Sequence, residues 1–343
     1  MKLGNLDWEN LGFDYIDTGA IYRSDFKDGE WQEGRITSDP HLSVNVAAPA
    51  FQYGQGIFEG MKAYRRKDGQ IQLFRPDMNA KRMANSARTI EMQPYPEDRF
   101  IEAVHQVVAA NADWVPPYGS GASLYLRPTL IGTGPMTTVL PAQEYIFAIY
   151  ATPVGPYFPE GMKPAHFMVS DYDRAAPKGT GAAKAGGNYA SGFKAAIEAR
   201  QQGFSDAIFL DPSTHTKIEE VGAANFFGIT EVGQFVTPRS PSILPGVTRD
   251  SLMFLAQNRL GLEVKMGDVY VDQLDRFVEA GACGTAAVIT PIGSITHQGQ
   301  RHTFYSDTKI GPVTQQLYNE LIDIQLGDKE APEGWTQLVH LPH

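Results

Sequence analysis

The nine residues Pro153-Val154-Gly155-Pro156-Tyr157-Phe158-Pro159-Glu160-Gly161 hold three prolines and two glycines, a composition that favours an irregular connection over any regular element. A break there divides the 343-residue chain near its middle. The expected organisation is a smaller N-terminal domain over residues 1–153, an interdomain loop over 154–164 and a larger C-terminal domain over 165–343. With 42% hydrophobic residues, each part can bury a sizeable core.

Before the break, Ile101, Val104, Val107, Val108 and Ala112 recur near helical spacing, so a helix is predicted from Phe100 to Trp114, stopped by Pro116-Pro117. Ser123 to Ile131 and Glu144 to Ala151 read as strands joined through Gly132-Thr133-Gly134-Pro135, which must turn. This is an α+β unit. After the break come a strand at His166 to Ser170, a helix from about Asn188 to Gln202 and strands at Asp206 to Asp211, Ala224 to Thr230 and Ala286 to Ile292. Helices at Thr248 to Leu260 and Gly311 to Gln325 complete an α/β unit.

Net charge narrows the partners. With 39 acidic and 29 basic residues the chain carries a formal charge of -10, which offers no general basic field for a nucleic acid. The single Cys283 excludes an intrachain disulfide and a cysteine-based zinc site, and the eight histidines show no close metal-ligand spacing, so no metal is expected. No apolar run approaches the roughly 20 residues of a membrane-spanning helix. Met1 to Asp7 lacks a leader's apolar core, and the expected location is cytoplasmic.

Candidate chemistry sits around Lys184, in Ala183-Lys184-Ala185-Gly186-Gly187-Asn188-Tyr189. Its surroundings are poor in charge, and burial of a lysine frees the neutral, nucleophilic amine. The bland alternative is a surface lysine on a flexible glycine loop. Glu219-Glu220 precedes an apolar strand, so one carboxylate can point into a cleft, where it would hold a pyridine nitrogen protonated and make the ring an electron sink. A solvated glutamate pair is the alternative. Leu244 to Asp250 is a turn entering a helix that can aim the N–H groups of Val247 and Thr248 at a phosphate, or be an ordinary helix start capped by Thr248. Gly284-Thr285-Ala286-Ala287 is either a backbone nest for an anion or a plain tight turn. Gly54 to Gly60 lacks the glycine spacing of a dinucleotide fingerprint, and no P-loop is present.

Seven motifs occur in order along nearly the whole chain. They are Tyr53-Gly54-Gln55-Gly56-Ile57-Phe58-Glu59-Gly60-Met61-Lys62-Ala63, Leu73-Phe74-Arg75-Pro76, Lys81-Arg82-Met83, Leu124-Tyr125-Leu126-Arg127-Pro128, Lys184 to Tyr189, Glu220-Val221-Gly222 and Leu244 to Arg249. Together they resemble the branched-chain amino-acid aminotransferases. The resemblance implies a two-domain fold-type IV, D-amino acid aminotransferase-like architecture of α+β and α/β parts, the cofactor pyridoxal 5'-phosphate, and a homodimer or higher homo-oligomer. It implies transamination of leucine, isoleucine and valine with 2-oxoglutarate, giving branched 2-oxo acids and L-glutamate by a ping-pong route.

Residue by residue, the resemblance implies that Lys184 forms the Schiff base and moves the proton, Tyr189 bonds the ring hydroxyl and Glu220 pairs with the ring nitrogen. Arg82, Val247, Thr248 and Thr285 hold the phosphate. The backbone of Thr285 and Ala286 and the Tyr125 hydroxyl receive the substrate α-carboxylate. Phe58, Tyr157 and Tyr189 line the side-chain pocket, with Tyr53, Thr137 and Val139 of the partner subunit, and Arg127 admits glutamate. Two departures stand out: Ala287-Val288-Ile289-Thr290 replaces a redox CxxC found in some mammalian members, and Ala223 replaces a common threonine. The rival readings are a D-amino acid or (R)-amine transaminase, an aminodeoxychorismate lyase and a non-catalytic phosphate-ligand binder.

Overall fold

The structure, a computed structural model, describes residues 6–8 and 10–341; residues 1–5, on which most of the N-terminal reading rests, lie outside them. The chain gathers into two compact units. Unit 1 takes the chain up to Pro159 together with Ala183–Gly186 and the stretch from Asp323 onward, and unit 2 takes Glu160–Ala182 and Gly187–Ile322. The first cut falls inside the proline and glycine stretch. The division differs from an unbroken 165–343 domain at two places, and hydrogen bonding gives the reason for each. Ala185 bridges to Ile57, and the strand Thr336–Leu338 pairs with Ile71–Phe74, so both segments are claimed by the first unit.

Unit 1 contains β1 (Ile21–Lys27), β2 (Glu30–Trp31), β3 (Arg35–Thr37), α1 (Pro49–Gln52), β4 (Gly56–Phe58), β5 (Met61–Arg65), β6 (Ile71–Phe74), α2 (Pro76–Thr89), α3 (Glu97–Ala110), β7 (Ser123–Gly132) and β8 (Tyr145–Val154). Its antiparallel sheet runs Thr336–Leu338, β6, β5, β7, β8, β1, β2, with β3 beside β1 and β4 beside β7. β8 continues through Pro153 to Val154, because each of these residues still pairs with β7. α2 begins at Pro76, whose fixed φ and missing N–H suit the first helical position, directly after Arg75 in a left-handed conformation. α3 buries Phe100, Ala103, Val104, Val107 and Val108, one apolar stripe at helical spacing. The expected helix to Trp114 is interrupted at Asn111, whose side-chain amide donates to the Val107 and Ala20 carbonyls; only a 3-10 turn, Ala112–Trp114, follows.

In unit 2 the elements are β9 (Ala165–Val169), α4 (Gly186–Ala190), α5 (Phe193–Gln201), β10 (Asp206–Leu210), β11 (Ile218–Val221), β12 (Ala224–Thr230), β13 (Gln234–Pro238), α6 (Val247–Asn258), β14 (Glu263–Gly267), β15 (Phe277–Gly284), β16 (Val288–His297), β17 (Gln300–Thr303) and α7 (Pro312–Leu326), with Gly186 and Asp323–Leu326 counting with unit 1. The strands β11, β10, β9, β16, β15 and β12 are neighbours in that order, and β11 pairs back onto β12, so six strands close into a barrel. Closure leaves none of the six with a free edge. The single helix expected at 188–202 is two helices, since the Ser191 hydroxyl donates to the Arg174 carbonyl and Gly192 fits against the Phe209 ring.

Phe147 marks the centre of the unit 1 core. It is fully buried, stacked on Tyr95 at 3.9 Å between ring centroids and edged by Tyr22 and Phe100. Phe147→Ala is therefore expected to cost about 3–5 kcal/mol of stability, read as a lowered denaturant midpoint for unit 1.

Candidate active site

In unit 1 the site is built on one face of α2. Asn79, Arg82 and Ser86 recur at helical spacing, and all three are buried. Asn79 and Arg82 converge on Glu59, in the two-residue link between β4 and β5. Arg82 Nε donates to Glu59 Oε1 at 2.7 Å, Arg82 Nη2 to Oε2 at 2.7 Å and Asn79 Nδ2 to Oε2 at 2.8 Å. Glu59 is fully buried. Burial pushes its carboxyl up, but the Arg82 guanidinium, with Lys184 and Asn79, holds it below its ordinary 4.5.

Ser86, one turn further along α2, accepts the backbone N–H of Lys184 at 2.9 Å. The Lys184 carbonyl in turn accepts the N–H of Phe58 at 3.1 Å, and Ala185 bridges to Ile57. Lys184 is thus held from both sides by backbone hydrogen bonds rather than lying on a loose glycine loop. Its Nζ stands 4.7 Å from the centre of the Phe58 ring.

Beside it, β7 carries Tyr125 and Arg127 on one face, as period-two alternation requires. Arg127 Nη2 donates to the Tyr125 hydroxyl at 2.8 Å, and the guanidinium lies 4.8 Å from the Phe58 ring centre. Burial raises the Tyr125 phenol against the opposing pull of Arg127. Gly60 is required here, because a Cβ would stand 2.2 Å from the Tyr125 hydroxyl. Lys62 is the direct register partner of Tyr125 and is buried, which brings its amine down to about 8. Arg127 Nε is buried with no hydrogen-bond partner. Lys184, Phe58, Arg82, Tyr125 and Arg127 therefore belong to one connected cluster in unit 1. Tyr157 does not share these contacts: it is half exposed and meets Phe13 and Phe158 edge-on. Tyr53 donates its hydroxyl to the Thr137 carbonyl at 2.8 Å and, with Val139, stands on exposed surface.

In unit 2 the adjacent carboxylates of β11 are both buried, and alternation sends them to opposite faces. Glu219 accepts from the hydroxyls of Ser240 and Ser242. Glu220 Oε1 accepts the Leu244 N–H at 2.9 Å and the Asn225 amide at 3.4 Å, and its Oε2 lies 3.2 Å from Arg174 Nε. The solvated-glutamate alternative does not hold for either residue. Asn225 also donates to the Leu244 carbonyl at 3.0 Å, and a Cβ on Gly246 would stand 2.0 Å from its Oδ1, so the Leu244 to Gly246 turn is clipped to β12.

That turn fixes the start of α6. Its N-cap is Gly246, which has no side chain to cap it, and Thr248 lies inside the first turn rather than at the cap. Tyr189 lies on α4, half buried. Thr285 and Ala286 form the turn between β15 and β16, followed by Val288 at φ 64°, a strained value for a β-branched residue. Cys283, buried just before this turn, has its thiol pushed up to about 12 by burial, with Arg249 opposing, and is chemically quiet.

The donor set suits pyridoxal phosphate: a lysine amine, a buried arginine, an uncapped helix N-terminus, a buried carboxylate and a strained turn of backbone amides. Each unit of this mixed α/β fold thus presents groups of the kind that pyridoxal phosphate enzymes use, Lys184 and Arg82 in unit 1 and Glu220, the α6 start and the Thr285 turn in unit 2. The profile of the family Amino-transferase class IV matches residues 56–295, and the chain belongs to that family. It is 56% identical to the branched-chain-amino-acid aminotransferase of Haemophilus influenzae over 96% of this chain and 98% of the relative, and 50% identical to that of Helicobacter pylori over 97% and 98%. Its fold is similar to the holo form, with pyridoxal phosphate, of the branched-chain amino acid aminotransferase of Thermobaculum terrenum, at a TM-score of 0.79 and 26% identity over 94% of this chain and 99% of that one. The fold is fold-type IV and the cofactor is pyridoxal phosphate.

Glu59 and Arg174 are the residues that sequence reasoning passed over. Glu59 was present in a quoted motif, and its signal was a lone carboxylate in an otherwise apolar stretch. Because the Glu59 carboxyl is held below its ordinary value, its contribution to stability is complete above 4.5 and disappears as pH falls through the lower folded value. Glu59→Gln is expected to cost on the order of 3–5 kcal/mol at pH 7, leaving Arg82 buried without its carboxylate. The gap to wild type should narrow below pH 4.5, as followed by thermal melts across pH.

Proposed function

We propose that this chain transaminates branched-chain L-amino acids with 2-oxoglutarate, and that Lys184 carries the cofactor. The observation that carries the substrate reading is Arg127: a half-buried side chain whose buried Nε is unsatisfied and whose guanidinium lies over Phe58 and is bonded to Tyr125. An apolar ring beside a cation with a donor to spare suits two unlike side chains, a branched aliphatic one and the carboxylate of glutamate.

Pyridoxal phosphate, when bound, supplies an aldehyde for the substrate amine and a ring that draws electrons from Cα. Lys184 Nζ would take the proton from substrate Cα and hand it on to the C4' carbon of the bound cofactor. Arg82 offers the phosphate the edge of its guanidinium turned away from Glu59, and the N–H groups of Val247 and Thr248 add the helix N-terminus, with Thr285 from its turn. Tyr189 serves the ring hydroxyl and Glu220 the ring nitrogen. The substrate α-carboxylate is received by the Tyr125 hydroxyl and by the backbone of Thr285 and Ala286, with Phe58 and Tyr157 against the side chain.

Tyr53, Thr137 and Val139 belong to a surface rather than to the buried cluster. Val46, Phe51, Val139 and Leu140 are all more than half exposed there, an apolar concentration that supports pairing with a second copy of the chain. In that homodimer Tyr53, Thr137 and Val139 of the partner subunit complete the substrate pocket. Among the described residues no helix is long and apolar enough to cross a membrane. A single buried thiol suits the reducing cytoplasm.

The purified protein should be yellow and bleach irreversibly with borohydride, and Lys184→Ala should abolish both the bleaching and leucine transamination; colour and activity surviving in that variant would refute the assignment. Initial velocities with leucine and 2-oxoglutarate varied together should give parallel lines. Arg127→Ala should lower kcat/KM for glutamate about tenfold more than for leucine, because only glutamate brings a charge that needs a partner. Equal losses for both substrates would remove Arg127 from the specificity role.

A further inference from the structure

Two neighbouring carboxylates on β11 are buried by different means, and the difference has chemical content. Glu219 is satisfied by two serine hydroxyls, which are neutral donors. Glu220 faces a cation. Arg174 Nε is 3.2 Å from its Oε2, and the two side chains are 8% and 5% exposed. The Nε–H is not aligned on that oxygen, so the contact is one of charge rather than a formed hydrogen bond. Arg174 is anchored by Nη2, which donates to the Ser242 carbonyl at 2.9 Å. The same Ser242 bonds Glu219 through its hydroxyl, so one short loop serves both carboxylates. Also in electrostatic reach of Glu220 are the Arg249 guanidinium, whose Nη1 donates to the Pro238 carbonyl, and the Cys283 thiol.

We propose that Arg174 is a positioning residue that keeps Glu220 ionised, and thereby keeps the shared proton on the cofactor's ring nitrogen; this rests on the reading that Glu220 meets that nitrogen. A carboxylate and a pyridine that share a proton in a sealed site can exist as an ion pair or as a neutral pair, and burial favours the neutral one. A cation in contact with the carboxylate lowers that group's proton affinity most steeply, since Coulomb energy falls with distance. Arginine suits the task because it does not lose its charge. The ring then stays protonated, the condition under which it draws electrons from Cα.

The test uses the protein loaded with pyridoxal phosphate labelled with 15N in its ring, and reads the ring resonance at neutral pH. Wild type should show the protonated-ring position. Arg174→Gln should move the resonance toward that of an unprotonated pyridine, by an amount comparable with Glu220→Gln, whereas Arg174→Lys should stay near wild type. If Arg174→Gln keeps the wild-type resonance while Glu220→Gln is displaced, the role of Arg174 is overturned and that of Glu220 stands. If Glu220→Gln is not displaced either, the pairing of Glu220 with the ring nitrogen is itself wrong. Should Arg174→Gln not fold, Arg174→Lys is titrated instead. Lysine can lose its charge, so its ring resonance should leave the protonated position at lower pH than wild type, and coincident titrations would overturn the proposal.

Discussion

The fork between Arg82 and Glu59 organises the buried cluster of the first unit. A fully buried carboxylate is tolerable only when its charge is matched and its oxygens are occupied, and here one arginine and one asparagine do both. Their shared origin on α2 matters as much as their charge. Because Asn79, Arg82 and Ser86 lie on one helical face, the residues that fix Glu59 and the one that fixes the Lys184 backbone cannot move independently. The proposed cofactor lysine and the proposed phosphate arginine are thus set by a single rigid element, which is how a site keeps its geometry without a substrate present.

The second unit solves a related problem twice. Glu219 and Glu220 are consecutive in a strand of a closed barrel, so both faces of that strand receive a carboxylate. One is bound by hydroxyls and the other by a guanidinium, a backbone N–H and an amide. Asn225 links Glu220 to the turn that starts α6, and Cys283 is its register partner on β15. The row of Glu220, Asn225 and Cys283 crosses three strands, so the carboxylate proposed for the ring nitrogen and the helix start proposed for the phosphate share one scaffold.

Much of this was legible in the sequence. Pattern located α3, β7, β8, β12, α6 and α7 to within a few residues, since the helices have apolar residues at helical spacing, β7 alternates, and β8 and β12 are short continuous apolar runs buried on both faces. α2 escaped that reading because its apolar stripe, Ala80, Met83, Ala84 and Ala87, consists mostly of alanine and runs beside the buried polar residues Asn79, Arg82 and Ser86. The claim of Ala183–Gly186 and of the C-terminal stretch by unit 1 escaped it as well, because register between distant strands leaves no local trace. Lys184, Glu220, Arg127 and Tyr125 were singled out from ordered motifs, and the contacts around Phe58 join three of them, Lys184, Arg127 and Tyr125. Arg174 was not, because an arginine in a loop rich in aspartate reads as a surface charge until the fold sets it against Glu220.

The Phe58 cluster carries a tension that bears on substrate choice. Arg127 keeps a buried donor unsatisfied, and such a donor costs about 1–3 kcal/mol. Removing the charge would relieve that cost when an aliphatic side chain is bound, yet would leave a glutamate carboxylate buried without a partner, a larger penalty of about 3–5 kcal/mol. The contacts of the guanidinium with Phe58 and Tyr125 return part of the deficit, on the order of 0.5–2 kcal/mol, in the state without the dicarboxylate. An arginine set against aromatic rings is therefore a compromise between the two proposed substrates: moderately costly with leucine and strongly favourable with glutamate. A lysine, with a single point charge, lacks the fork that lets Arg127 stay over Phe58 and donate to Tyr125 while keeping a further donor for a carboxylate.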